Sequence, residues 1–283
     1  MMNKISKLRI ELAKRSLERF RNENLVAALV TGSVAKGIAD ENSDIDTVLI
    51  YNRRLTNAEM EEIIAGAKAT GGDFYHGTPE LGFAVYYYFE GVRCDFGFGH
   101  REDTERLFDE VINDTEAEPD LMKHLQVNGI LDSVVLYGEE WVNKLRKQAA
   151  GFPESLQIKL VRHHLRFYPK WAIEKMAIER NDVLFYYETL LECTGNMIGI
   201  LCGLNKIYHP GKIKGAEYTV AKMKIKPRNF RERCTGLFKQ KSTDAVSELY
   251  KMIEETCDLI DKHLPEVSTV RSREVQNMIL RKD

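Results

Sequence analysis

One stretch, Val30 to Tyr51, constrains this chain more than any other: VTGSVAKGIADENSDIDTVLIY. An apolar run from Leu25 to Val30 breaks at Gly32-Ser33, crosses a polar segment holding Gly37, and resumes as the β-rich run Thr47 to Tyr51. Strand, glycine turn, strand is the pattern. Asp44 and Asp46 stand at the start of the second run, and strand residues two apart point to the same face. Two carboxylates held together cannot both stay ionised cheaply without a cation between them. Hard oxygen ligands at this spacing suit Mg²⁺, which takes one or two carboxylates plus substrate phosphates rather than a full protein cage. A turn capped by Ser43-Asp44 is the simpler alternative, but a cap needs one acid and no glycine-serine partner upstream.

A third acid lies in FAVYYYFEGVRCDFGF, Phe83 to Phe98, where two β-rich runs flank Glu90-Gly91 as in a hairpin. Asp95 sits in the second arm among Val92, Cys94, Phe96 and Phe98. An acid in that setting is costly unless paired or metal-bound. Pairing with Arg93 is expected to be poor, on the reading that the two side chains leave opposite faces of the strand. That makes Asp95 the third carboxylate.

Gly32-Ser33, ten residues, then Asp44-Ile45-Asp46 resembles the fingerprint of the nucleotidyltransferase superfamily that includes DNA polymerase β. The nearer likeness is to its small bacterial branch, with the antibiotic nucleotidyltransferases of aminoglycoside and lincosamide type. The resemblance implies that Gly32 and Ser33 open a short helix and hold a triphosphate. It implies that Asp44, Asp46 and Asp95 bind two Mg²⁺ ions, with Asp95 a ligand, the base for the acceptor's proton, or both. The implied reaction moves a nucleoside monophosphate from a triphosphate, ATP being the favoured donor, to a hydroxyl of a small acceptor such as an antibiotic, releasing pyrophosphate. The alternatives are a protein or RNA acceptor of toxin–antitoxin type, or a nucleotide-binding module without catalysis. Backbone amides at a helix start attract phosphate and glycine permits close approach, so the physical reading agrees.

Composition limits the partners. With 283 residues, and 41 Lys+Arg against 43 Asp+Glu, the formal net charge of −2 supplies no global field for a nucleic-acid backbone. The five cysteines are scattered without a CxxC pair, which fits a reducing cytoplasm and neither disulfides nor zinc. No apolar run reaches signal-peptide or membrane-spanning length, so a cytoplasmic protein is expected. Whether it is a monomer or a homodimer stays open.

The expected architecture is α/β (α+β). A mixed nucleotidyltransferase sheet with helices occupies 1–150, and a helical bundle that closes on substrate and nucleotide occupies 151–283, with Gly151-Phe152-Pro153 at the boundary. The active site is expected in the cleft between them. Ile5–Phe20 reads as an amphipathic helix, and Thr56 with Glu59 as a capping box. Asn113–Pro119 reads as a linker. Glu154–Glu179 reads as one long helix kinked at Pro169, and Asp182–Cys202 as a buried central helix.

In the helical half, likeness to antibiotic adenylyltransferases suggests a lysine that reaches the triphosphate. Lys206 and Lys212 fit, and Tyr208 is a candidate to stack on the base or bond a phosphate, against the plainer reading of an exposed basic loop. Kanamycin-type enzymes place a carboxylate base on this half, near His163 and His164 here. Those histidines and Glu188 are therefore rivals to Asp95 as general base, although paired histidines on a helix are more often surface or core residues. The basic run from Lys222 to Arg233 reads as a substrate groove or a solvated face.

Overall fold

A computed structural model describes residues 2–113 and 118–278. The chain divides into two compact units, Met1–Asn113 with Gln126–Gly151, and Asp114–Leu125 with Phe152–Asp283. The segment before residue 126 therefore groups with the helical half rather than with the sheet.

The first unit is built on a six-stranded mixed sheet in the order β3-β4-β5-β2-β1-β6. Its strands are β1 (Leu25–Val30), β2 (Ile45–Tyr51), β3 (Asp73–Thr78), β4 (Gly82–Phe89), β5 (Val92–His100) and β6 (Val134–Tyr137). Only the β2–β5 pairing is parallel; the others are antiparallel. The β4–β5 hairpin turns at Glu90 and Gly91, with φ of 50° and 75°, the paired positive values that suit a two-residue turn to the strand twist. The aromatic residues read as strand formers do their work inside. Phe20 packs on Phe96 at 4.6 Å between ring centroids and edge-on against Tyr87 at 5.5 Å, next to buried Ile45, Leu49 and Val85.

Helix α1 (Lys4–Leu17) starts at Asn3, whose side chain accepts from the Ser6 amide. Asn3 Nδ2 also donates to the Ala39 carbonyl at 2.8 Å, and the Ala39 amide to Ser6 Oγ at 3.2 Å. The loop after Gly32-Ser33 is thereby tied to the first turn of α1. The capping box at Thr56 and Glu59 opens α3 (Asn57–Ala69), as expected. Helices α4 (Arg101–Ile112), α5 (Leu121–Leu131) and α6 (Glu139–Ala149) follow.

The linker expected over Asn113–Pro119 falls partly on 114–117, which lie outside the described residues. The single helix expected over Glu154–Glu179 is corrected. Helix α7 (Glu154–His164) ends before an irregular Arg166-Phe167-Tyr168, and α8 (Lys170–Ala172) restarts after Pro169 and runs into a π-helical turn, Ile173–Ile178. Proline disfavours helical backbone in the residue before it, so the helix breaks rather than kinks.

Helix α9 (Val183–Leu204) is buried as expected only over its C-terminal part, where Leu190, Met197, Ile200 and Leu201 are inaccessible, while Val183, Leu184, Tyr187 and Leu191 are exposed. Its glycines bring α7 close. A Cβ at Gly199 would enter the His164 ring, and one at Gly203 would lie 2.6 Å from Val161 Cγ2. Helices α10 (Ala216–Lys222), α11 (Phe230–Leu237), α12 (Ser242–His263) and α13 (Val270–Gln276) complete the unit. Among the described residues no helix is long and apolar enough to cross a membrane. All five cysteines are free thiols.

Candidate active site

Strand register brings the three acids together. Asp46 on β2 stands directly beside Asp95 on β5, their Cα atoms paired in the parallel ladder, and Asp44 precedes β2 by one residue. One ligand oxygen from each of Asp44, Asp46 and Asp95 lies within 4.8 Å of the others, and all three residues are half-buried. Among the described residues this is the one such cluster of acids, histidines or cysteines.

The glycine turn packs on the same acids. Thr31 stands at the N-cap position of helix α2 (Gly32–Ala35) without a side-chain capping bond, and its amide donates to the Asp46 carbonyl at 2.8 Å. Gly32 has φ of 64°, and a Cβ there would overlap Asp46 Oδ2 and lie 3.1 Å from Asp46 Cγ. Both the backbone conformation and the space demand glycine. Ser33 follows, half-buried on α2. Before β2, Ser43 Oγ bonds Asp40 Oδ1 at 2.9 Å and accepts from the Asp40 amide at 3.0 Å. Ser43 thus closes its turn with Asp40, and Asp44 is not used as a cap.

Asp95 is held on both oxygens. Tyr75 Oη donates to Oδ2 at 2.9 Å and Arg93 Nε to Oδ1 at 3.0 Å. The Arg93 guanidinium lies over Tyr86 at 4.3 Å and over Tyr75 at 5.3 Å from the ring centroids. The expectation of poor Arg93–Asp95 pairing is therefore corrected. The two residues are two apart, not adjacent, so the strand puts them on one face. Tyr75 lies on β3, an edge strand that sequence reasoning passed over. The one available signal was an aromatic opposite the Tyr86 side of the hairpin.

The residues expected in the helical unit fare differently. Lys206, at φ of 54°, and Lys212 are both exposed. Tyr208 is 3% exposed, its ring 4.9 Å from Phe152 and 5.8 Å from His124, so it is a core side chain with no face open to a base. His164 is corrected as a candidate base. It is buried, stacked on His209 at 4.9 Å, with Nδ1 3.1 Å from Asn196 Oδ1, and burial pulls its pKa down to about 4. His163 is half-buried with Nδ1 donating to Glu118 Oε2 at 2.8 Å, and Glu188 is exposed. Within the basic run at 222–233, Arg231 pairs with Glu217, and Arg233 pairs with Glu248 and Glu255.

Asp46 and Asp95 on adjoining strands, with Asp44 just before β2 and a glycine turn that opens a short helix beside them, group three hard oxygen ligands of the type a divalent cation takes. Residues 10–128 match the family described as nucleotidyltransferase domain, a span that includes Gly32, Ser33 and all three acids. That match supports the nucleotidyltransferase superfamily for the sheet-bearing part of the chain. No curated protein matches the chain. Among solved structures it is similar to a nucleotidyltransferase-like protein from Exiguobacterium sibiricum 255-15, at 10% identity and a TM-score of 0.41, over 91% of this chain and 79% of that one. It is also similar to a chain of the E. coli MS115-1 CdnC:HORMA-deltaN complex, at 12% identity and a TM-score of 0.26, over 74% of this chain and 93% of that one. Neither likeness, at such a TM-score, adds to what the local geometry shows.

Proposed function

We propose that the chain is a metal-dependent nucleotidyltransferase that moves a nucleoside monophosphate from a nucleoside triphosphate, ATP first among the candidates, to a hydroxyl of a small acceptor, with pyrophosphate released. The observation that carries this reading is the packing of Gly32 against Asp46, which holds the glycine turn directly beside a three-carboxylate cluster.

The donor set fits Mg²⁺: three hard oxygen ligands within 4.8 Å of one another, on half-buried residues. Asp44, Asp46 and Asp95 would hold the ions, two in the full reading. When bound, they would neutralise charge on the attacking and leaving oxygens of an in-line displacement at the α-phosphorus. The chain's own groups supply the rest. Gly32 and Ser33 offer backbone amides to the triphosphate. Tyr75 and Arg93, bonded to the two oxygens of Asp95, fix the plane of its carboxylate, which preorganises the third ligand. Asp95 then serves as ligand, proton acceptor or both, since His164 is buried. Lys206 and Lys212, both exposed, remain candidates for the triphosphate. An antibiotic is the acceptor class to try first.

The test is pyrophosphate release with Mg²⁺ and each nucleoside triphosphate against a panel of aminoglycosides, lincosamides and other polyhydroxy compounds. Acceptor-dependent release by wild type that Asp95→Asn abolishes supports the reading. Release equal in both proteins contradicts it.

A further inference from the structure

Along its pairing with β4, strand β3 holds one residue too many. Phe74 lies opposite Val85 and His76 opposite Ala84, which leaves Tyr75 unpaired between them. Such a bulge re-aims a side chain and is common beside active sites. Phe74 keeps its place against the core cluster, while Tyr75 is 42% exposed. On the next strand Tyr86 pairs with Asp95 in the ladder, and the Tyr75 ring lies 5.2 Å from that of Tyr86. The Tyr75 hydroxyl reaches past Tyr86 to the site, where Oη donates to Asp95 Oδ2 at 2.9 Å.

Other tyrosines of this sheet use their hydroxyls differently. Tyr51 and Tyr87, both buried, donate to the backbone carbonyls of Phe20 and Ile63. Tyr75 is instead open to solvent, and its proton points at a carboxylate oxygen of the site. Arg93 Nε holds the other oxygen, so the orientation of Asp95 does not depend on the phenol alone. A hydroxyl within about 2.6–3.2 Å of a carboxylate is placed as a general base requires of the group it deprotonates. The Arg93 guanidinium also lies over the Tyr75 ring, 5.3 Å from its centroid, and a cation there favours negative charge developing on the phenol.

We propose that Tyr75 is itself an acceptor, and that the chain nucleotidylates its own phenol. The inference rests on the nucleotidyl-transfer reading above and names one hydroxyl that this site can use. Tyr75 Oη attacks the α-phosphorus of a bound nucleoside triphosphate, and its proton passes to Asp95 Oδ2. The bond from the α-phosphorus to the oxygen bridging it to the β-phosphate breaks, and pyrophosphate leaves. A phosphodiester between Tyr75 and the nucleoside remains. That product has no O–H at Tyr75, so it can neither donate to Asp95 nor accept a second nucleotide. The reaction stops at one nucleotide per chain.

The test uses the full chain with Mg²⁺ and each nucleoside triphosphate, no acceptor added, quenched in EDTA and read by mass spectrometry. Wild type should gain the mass of one nucleoside monophosphate, release an equal amount of pyrophosphate and then stop. Peptide mapping should place the adduct on Tyr75. Tyr75→Phe should lose it; because that variant also loosens Asp95, the mapped wild-type adduct is what assigns the residue. The rate constant should not change with protein concentration, since the hydrogen bond from Tyr75 to Asp95 lies within one chain. An adduct mapped elsewhere, an adduct retained by Tyr75→Phe, or a rate constant that rises with protein concentration overturns the proposal. So does a protein that transfers nucleotide to an added acceptor yet stays unmodified, a result that leaves the nucleotidyl-transfer reading standing. Calorimetry that finds no Mg²⁺-dependent binding of any nucleoside triphosphate overturns both.

Discussion

Gly32 and Asp46 are in contact across the candidate site: a methyl group on Gly32 would occupy the space of the Asp46 carboxylate. The turn and the acids are thus one object, joined again by the bond from the Thr31 amide to the Asp46 carbonyl at 2.8 Å. Gly32→Ala must displace Asp46 and also hold a positive φ. A folded protein whose turnover drops on the order of 10²-fold is expected, since a displacement near 1 Å costs that much at a reacting centre. Circular dichroism with a pyrophosphate-release assay separates this outcome from simple unfolding.

Arg93 and Tyr75 occupy both oxygens of Asp95. Removing the arginine charge in Arg93→Ala leaves the cluster more negative. Mn²⁺ binding, read by electron paramagnetic resonance, should then tighten by about fivefold, the scale of a partly exposed ion pair. Turnover should fall in the same variant because Asp95 loses its orientation. Tyr75→Phe should lower turnover with little change in Mn²⁺ affinity. Weaker Mn²⁺ binding by Arg93→Ala would show that the arginine helps to build the metal site rather than to balance its charge.

The helical unit carries a buried histidine stack whose cost depends on pH. Burial pulls His164 down to about 4 and His209 to about 3 from an ordinary 6.5, helped by neighbouring histidines and, at His164, by Arg166. Both rings are neutral in the fold and gain a proton on unfolding, so the unfolded chain binds more protons below pH 6.5. Stability is therefore full above that value and declines as pH falls, by about 1.4 kcal/mol per histidine for each pH unit. Denaturant unfolding at pH 7 and pH 5 should show the loss, and His164→Gln should flatten the dependence. A pH-independent midpoint in wild type would contradict it.

Gly199 meets the His164 ring where α7 crosses α9. Gly199→Ala should destabilise the protein by about 1–3 kcal/mol through overpacking, measured as a shift in the denaturant midpoint. An unchanged midpoint would mean that α7 can move away at no cost.

Much of the site could be read from the chain because its signals are local. Gly32-Ser33 and Asp44-Ile45-Asp46 fall within one strand–turn–strand stretch, and Asp95 stood out as an acid among aromatic strand residues. What was lost depended on counting or on distance in sequence. Arg93 was set on the wrong face by one residue of strand alternation. Tyr75 lies on an edge strand whose sequence, DFYHGT, has exposed positions at most places and little apolar pattern. Tyr208 looked like a loop residue because its burial comes from Phe152 and His124, far away in the chain.

The central claim is that Asp44 and Asp46 hold the cation that carries a nucleoside triphosphate. Calorimetric titration of each nucleoside triphosphate with Mg²⁺, on wild type and on Asp44→Ala/Asp46→Ala, tests it most directly. Binding that requires Mg²⁺ and is lost in the double variant is the expected result, and it would identify the nucleotide as well. Mg²⁺-dependent binding that survives in the double variant would contradict the account.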